Sequence, residues 1–140
     1  MRKITNRLLL AALLLPGFPA PSFAEPTPVG IWFSPYQPDE ANVMSLIEFR
    51  ADGTFREEFR KCDNGKFIGY QTESGTWSVM GDVERLVALR INGETAQAEN
   101  TYTILLLTDT ERRIRMEPQG HVFVGHRVHD FEFPACATAT

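Results

Sequence analysis

Gly75-Thr76-Trp77-Ser78-Val79-Met80-Gly81-Asp82 is the stretch on which the fold class turns. Gly75, Trp77 and Val79 alternate with Thr76, Ser78 and Met80, so a pleated segment carries the indole on one face and mostly short polar groups on the other. Gly81-Asp82 then supplies the backbone freedom and the local side-chain hydrogen bond that a hairpin reversal needs. The reading is a β-strand ending in a tight turn.

Working outward, the same pattern recurs on both sides. Upstream, Val43 to Arg50 and Thr54 to Cys62 flank Ala51-Asp52-Gly53, a strong hairpin signal. Asp63-Asn64-Gly65 turns the chain again, and Phe67 to Gln71 leads through Thr72 to Ser74 into the Trp77 strand. Downstream, Arg85 to Ile91 is apolar on both faces and reads as a well covered strand. Asn92-Gly93, Thr108 to Glu111 and Gln119-Gly120 then separate Thr101 to Leu107, Arg113 to Met116 and His121 to Val128. Counting from the first strand, Gly30 to Phe33, this makes eight or nine short strands and no segment of helical period. Antiparallel strands in unbroken hairpin order bury their edges most simply by closing, which predicts an all-β, antiparallel up-and-down barrel. A two-sheet sandwich is the alternative, but Greek-key crossings need longer connections than most of these.

Residues 1–24 stand apart from the fold. Arg2, Lys3 and Arg7 precede the apolar run Leu8 to Leu15, and a breaker-rich exit ends in Ser22-Phe23-Ala24. The run is well short of the roughly 20 apolar residues that span a bilayer, so a signal peptide cleaved after Ala24 is expected, not an anchor. That leaves residues 25–140 as one domain with a C-terminal tail. Without Arg2, Lys3 and Arg7, 11 of the 14 basic residues remain against 18 acidic ones, a formal charge of −7. Such a balance argues against nucleic acid and against anionic headgroups as partners. A periplasmic or secreted location follows from the leader. Cys62 and Cys136 both fall in the exported part, where an even pair oxidises, and a 62–136 bridge is expected. In the chain-entropy model a loop of that length is worth roughly 4.5 kcal/mol.

Three features together resemble the lipocalin and wider calycin group of ligand-binding barrels. Gly30-Ile31-Trp32 is similar to the Gly-x-Trp of the lipocalin first strand, Thr108-Asp109 falls between late strands like that family's Thr-Asp-Tyr turn, and Arg127 ends the last strand. Thr110 stands where that turn has Tyr, and no amphipathic helix follows the last strand. The resemblance implies that Trp32 and Arg127 form a closure pair at the barrel base, guanidinium against indole. It also implies a link from tail to wall, similar to Cys136 with Cys62, and a cup for a small molecule.

A small barrel either fills its interior or holds one small ligand. The candidate lining is aromatic: Phe49, Phe55, Phe59, Phe67, Tyr70, Trp77, Tyr102 and Phe123, which serve equally as packed core or as walls for an apolar guest. Glu57 sits between Phe55 and Phe59 on the apolar face of its strand, hence at a mouth or buried with a partner such as the Tyr102 hydroxyl or Arg90. An interior Glu57 would have a raised pKa. The expected ligand set is therefore Glu57, Phe55, Phe59, Trp77 and Tyr102, with Trp77 either lining the barrel or plugging it. Ser34 to Ala41 is the longest irregular stretch, a rim over a cavity or a plain crossover. His121, His126 and His129 are spaced by five and three, not the two of a strand-borne metal site, so no metal is expected. No Ser-His-Asp order, phosphate loop or paired carboxylates at a known spacing is present, and neither catalysis nor a cofactor is expected. The reading is a barrel that binds a small apolar molecule. A solid barrel that binds a protein, for example an exported protease inhibitor using the extended Glu25 to Val29, is the competing reading.

Overall fold

A computed structural model describes residues 25–138. The expected signal peptide lies outside the described residues. Eight strands run in chain order: β1 (Gly30–Ser34), β2 (Val43–Phe49), β3 (Thr54–Asp63), β4 (Lys66–Met80), β5 (Val83–Ile91), β6 (Glu94–Leu107), β7 (Glu111–Glu117) and β8 (Val122–Val128). Each pairs antiparallel with the next, and β1 pairs with β8 to close the barrel. Closure leaves no sheet edge to template association. No helix among the described residues is long and apolar enough to cross a membrane.

The count is eight because Phe67 to Gln71 and the Trp77 stretch belong to one 15-residue strand, β4. Its pairing with β5 shifts register between Ser74 and Gly75. A Cβ on Gly75 would lie 1.8 Å from the Val87 carbonyl oxygen, so only glycine lets β4 pass there. β6 likewise begins seven residues before the expected Thr101, through the polar run Glu94 to Asn100, whose mostly exposed side chains carry no apolar period.

Two other departures have local causes. The shift opposite Lys61 and Cys62 inserts Ile68 into β4, which reverses the alternation and turns Phe67 outward, 46% exposed and 4.9 Å from the Arg60 guanidinium. On β5, Leu89 follows the outward alternation of Arg85 and Val87 and is 45% exposed, so the expected covered strand is buried on its inner face alone, through Leu86 and Ala88.

The inner residues of the lower half form one cluster of Trp32, Ile47, Phe49, Phe55, Leu86, Ala88, Tyr102 and Ile114. Outside the wall, the C-terminal tail lies along β3. Phe131 stacks at 3.9 Å on Arg56, Phe133 at 4.5 Å on Arg60, and Cys136 is disulfide-bonded to Cys62.

Candidate functional site

The two ends of the barrel differ. At the base, the Arg127 guanidinium lies 4.3 Å over the Trp32 ring, its register partner on β1. Arg127 Nη1 and Nε each donate at 2.7 Å, to the carbonyls of Val29 and Asp109, and Trp32 Nε1 donates to Pro28 O at 2.7 Å. Gly30 has a φ of 131°, and a Cβ there would fall 2.1 Å from Arg127 Nη1, which is why the residue two before Trp32 is glycine. Above this pair, Phe49 and Trp77 meet edge to face at 5.5 Å, and Trp77 Nε1 donates to Arg50 O at 2.9 Å. Phe55, 2% exposed, fills the same layer.

A buried ion pair forms the next layer. Arg112, 6% exposed, donates through Nη2 to Oε1 of the fully buried Glu84. The guanidinium sits 4.9 Å from the Phe49 ring on the base side and lines a chamber on the other. Glu84 Oε2 and Arg112 Nε have no hydrogen-bond partner, so the pair is held in low dielectric with part of its polar capacity unmet.

The chamber encloses about 190 Å³. Its wall mixes Ile47, Phe59, Leu86, Ile114, Met116 and Phe123 with Ser34, Ser45, Glu57, Glu73, Asn100, Tyr102 and Arg112. Alternation on β3 places Glu57 inward between Phe55 and Phe59, and alternation on β4 does the same for Glu73, its direct cross-strand partner. Burial, then the neighbouring Glu73, push the Glu57 carboxyl up to about 8, against the opposing pull of Arg112 and a hydrogen bond from Ser45. At neutral pH Glu57 is therefore mostly a protonated acid. Burial, followed by Glu57, also raises the Tyr102 phenol, which stays a hydrogen-bond donor. Tyr102 meets Phe123 edge to face at 6.0 Å.

Gln37, Phe59 and Phe123 are shared between the chamber and a wider vestibule of about 460 Å³ at the mouth. Ser34 to Ala41 forms the vestibule rim through Gln37, Pro38, Asp39 and Glu40, tied by backbone hydrogen bonds of 3.1 and 3.2 Å between Gln37 and Glu40. His121 approaches Asp39 at 3.2 Å across the opening. Chamber and vestibule thus adjoin at Gln37, Phe59 and Phe123 in a funnel-like arrangement, wider and more apolar above, narrower and more polar below.

A family model for a lipocalin-like domain matches residues 24–111. The chain belongs to the lipocalin-like domain family. The match covers β1 to β6 of this lipocalin-like barrel, and β7 and β8 complete the closure beyond it. Neither the curated proteins nor the solved structures contain a match.

Of the residues expected at a ligand site, Glu57, Phe59 and Tyr102 face the chamber together. Phe55 and Trp77 lie below it in the packed base, because Phe55 sits one inward position beyond Glu57 and Trp77 two beyond Glu73, toward the Asp52-Gly53 hairpin. Arg90, expected as a partner for Glu57, is exposed and donates to Gly93 O at 3.2 Å. The interior cation is Arg112, which shares the apolar face of β7 with Ile114 and Met116 and is detectable from that spacing. Glu73 and Glu84 gave a weaker signal, in phase with Gly75 and Trp77 on β4 and with Leu86 and Ala88 on β5. The polar run Thr72 to Ser74 has no apolar face, and β5 is apolar on both.

Proposed function

We propose that this is an exported lipocalin-like barrel that binds a small, largely apolar molecule in the funnel, with polar contacts at its deep end. The observation that carries the reading is that vestibule and chamber adjoin, sharing Gln37, Phe59 and Phe123 as walls. Apolar walls with a few convergent polar groups are the usual makeup of a small-molecule site. Glu57, Phe59 and Tyr102 would contact the ligand, while Trp32 and Arg127 hold the base closed. Export is supported by the Cys62–Cys136 disulfide and by a family match that starts at residue 24, next to the expected cleavage point.

The extended entry segment does not favour an inhibitor arm. Thr27, Pro28 and Val29 are tied to the base through their carbonyls, which accept from Arg127 and Trp32. A free arm needs those groups to be available to a partner.

Titration with N-phenyl-1-naphthylamine, a neutral apolar fluorophore, tests the reading. Saturable one-to-one binding is expected, together with its loss in Asn100→Trp, which fills the chamber, while that variant keeps the β-sheet circular dichroism of the parent. Linear, unsaturable fluorescence with the parent protein would overturn the proposal.

A further inference from the structure

Charge inside the chamber is unbalanced. Glu57 and Glu73 face each other across the β3–β4 pair, a placement that costs stability when both are ionised. Among the described residues neither forms an ion pair, and the nearest polar donor to Glu73 is the neutral Gln71 amide at 2.7 Å. The one guanidinium in the chamber wall, Arg112, is already committed below them to Glu84, whose Oε2 still lacks a donor. Three carboxyls therefore stand against one buried cation in the chamber, and Glu57 and Glu73 also border a second recess beside the exposed Arg56 and Arg90, neither of which pairs with them. Sequences keep such mismatches where a ligand resolves them.

We propose that the deep end of the funnel binds the ammonium group of a small organic amine, held between the Glu57 and Glu73 carboxyls. The inference rests on the small-ligand reading above and specifies the chemical class of that ligand. The amine's N–H groups donate to the two carboxyls, and its carbon skeleton extends upward between Phe59 and Phe123. A carboxylate guest is disfavoured by the same geometry. To reach Arg112 it would have to lie against Glu57 and Glu73 and compete with Glu84.

The groups that face Glu57 are Ser45 from β2, Glu73 from β4, Glu84 from β5, Tyr102 from β6 and Arg112 from β7, with Arg56 and Glu58 of β3 and Arg90 of β5 around the second recess it borders. In the empty chamber a proton on Glu57 offsets the repulsion from Glu73. An incoming ammonium takes that proton's place, and the proton leaves to solvent. Affinity for an amine that stays charged should therefore rise with pH until Glu57 ionises unaided near pH 8.

Isothermal titration of the mature protein with octylamine, octanol and octanoate tests this. Octylammonium is expected to bind about tenfold or more tightly than either control, with affinity rising by up to about tenfold per pH unit between roughly pH 6 and 8. Glu73→Gln should lose about tenfold in octylammonium affinity while leaving octanol unchanged, and Glu57→Gln should in addition remove the pH dependence. Tighter binding of octanoate, or octylammonium affinity within about twofold of the parent in both variants, overturns the proposal. Octanol bound without preference for the amine would sink the amine assignment and leave the small-ligand reading standing. If all three chains and the neutral fluorophore fail to bind, both readings fall.

Discussion

Trp32 and Glu57 lie inside the same barrel wall, one near its base and one halfway up, and their surroundings obey opposite rules. Around Trp32 every group has a partner. The ring meets Arg127, the indole N–H meets Pro28 O, and the guanidinium is shared among backbone carbonyls from two segments. Around Glu57 there is empty volume, a second acid, and a cation engaged elsewhere. The base satisfies packing and hydrogen bonding together, so it sets the fold. The chamber violates both, the kind of local inconsistency that functional sites carry at a cost to marginal stability.

The comparison is broken most directly at the base. Trp32→Ala removes the largest fully buried side chain and leaves Arg127 over a void, at an expected cost of about 3–5 kcal/mol. Urea denaturation of parent and variant measures it. A loss under about 1 kcal/mol would mean that closure does not depend on this layer.

The chamber should reveal itself through pH. The Glu57 carboxyl titrates near 8 in the folded protein, above its ordinary 4.5. Between those values the folded state holds a proton that the unfolded state has released, so stability falls as pH rises through the window, by up to ~1.4 kcal/mol per pH unit. Below the window both states are protonated and the contribution is fully present. Glu57→Gln should flatten that slope between about pH 5 and 8 and leave the parent the more pH-sensitive protein, read from midpoints of denaturation across the range. An unchanged slope would show that Glu57 is solvated in the folded state.

The contrast between the two regions was only half legible in the residues. Trp32 with Gly30, Arg127, the Asp-Gly and Asn-Gly turns and the alternation around Trp77 all report local geometry, and the barrel follows from them. Glu57 was visible because two phenylalanines flank it at strand period. Its neighbours were fainter, since Glu73 keeps phase with Gly75 and Trp77 in a run that is polar on both faces, and Glu84 with Leu86 and Ala88 in one that is apolar on both. The outward turn of Phe67 is decided by a bulge at Ile68. A bulge depends on the register of the adjacent strand, a non-local property that no window of sequence carries. The same limit explains Trp77, whose inward direction is clear from its own strand. Its height above the base depends on how β3 and β4 align.

The mildest test asks whether the chamber is loose as well as polar. Met116 lines it on β7, one inward position beyond Ile114, and is only partly buried. A methionine truncated within a close-packed core loses transfer energy and also leaves a cavity its neighbours cannot fill. Next to Met116 the space already exists, so Met116→Ala loses mainly the area term, about 1 kcal/mol. The same variant should still bind N-phenyl-1-naphthylamine, with the enlarged chamber admitting it at least as well. A stability loss near that of Trp32→Ala would mean that the upper barrel is packed like the lower one, and the division into a structural base and a receptive chamber would fail on that measurement.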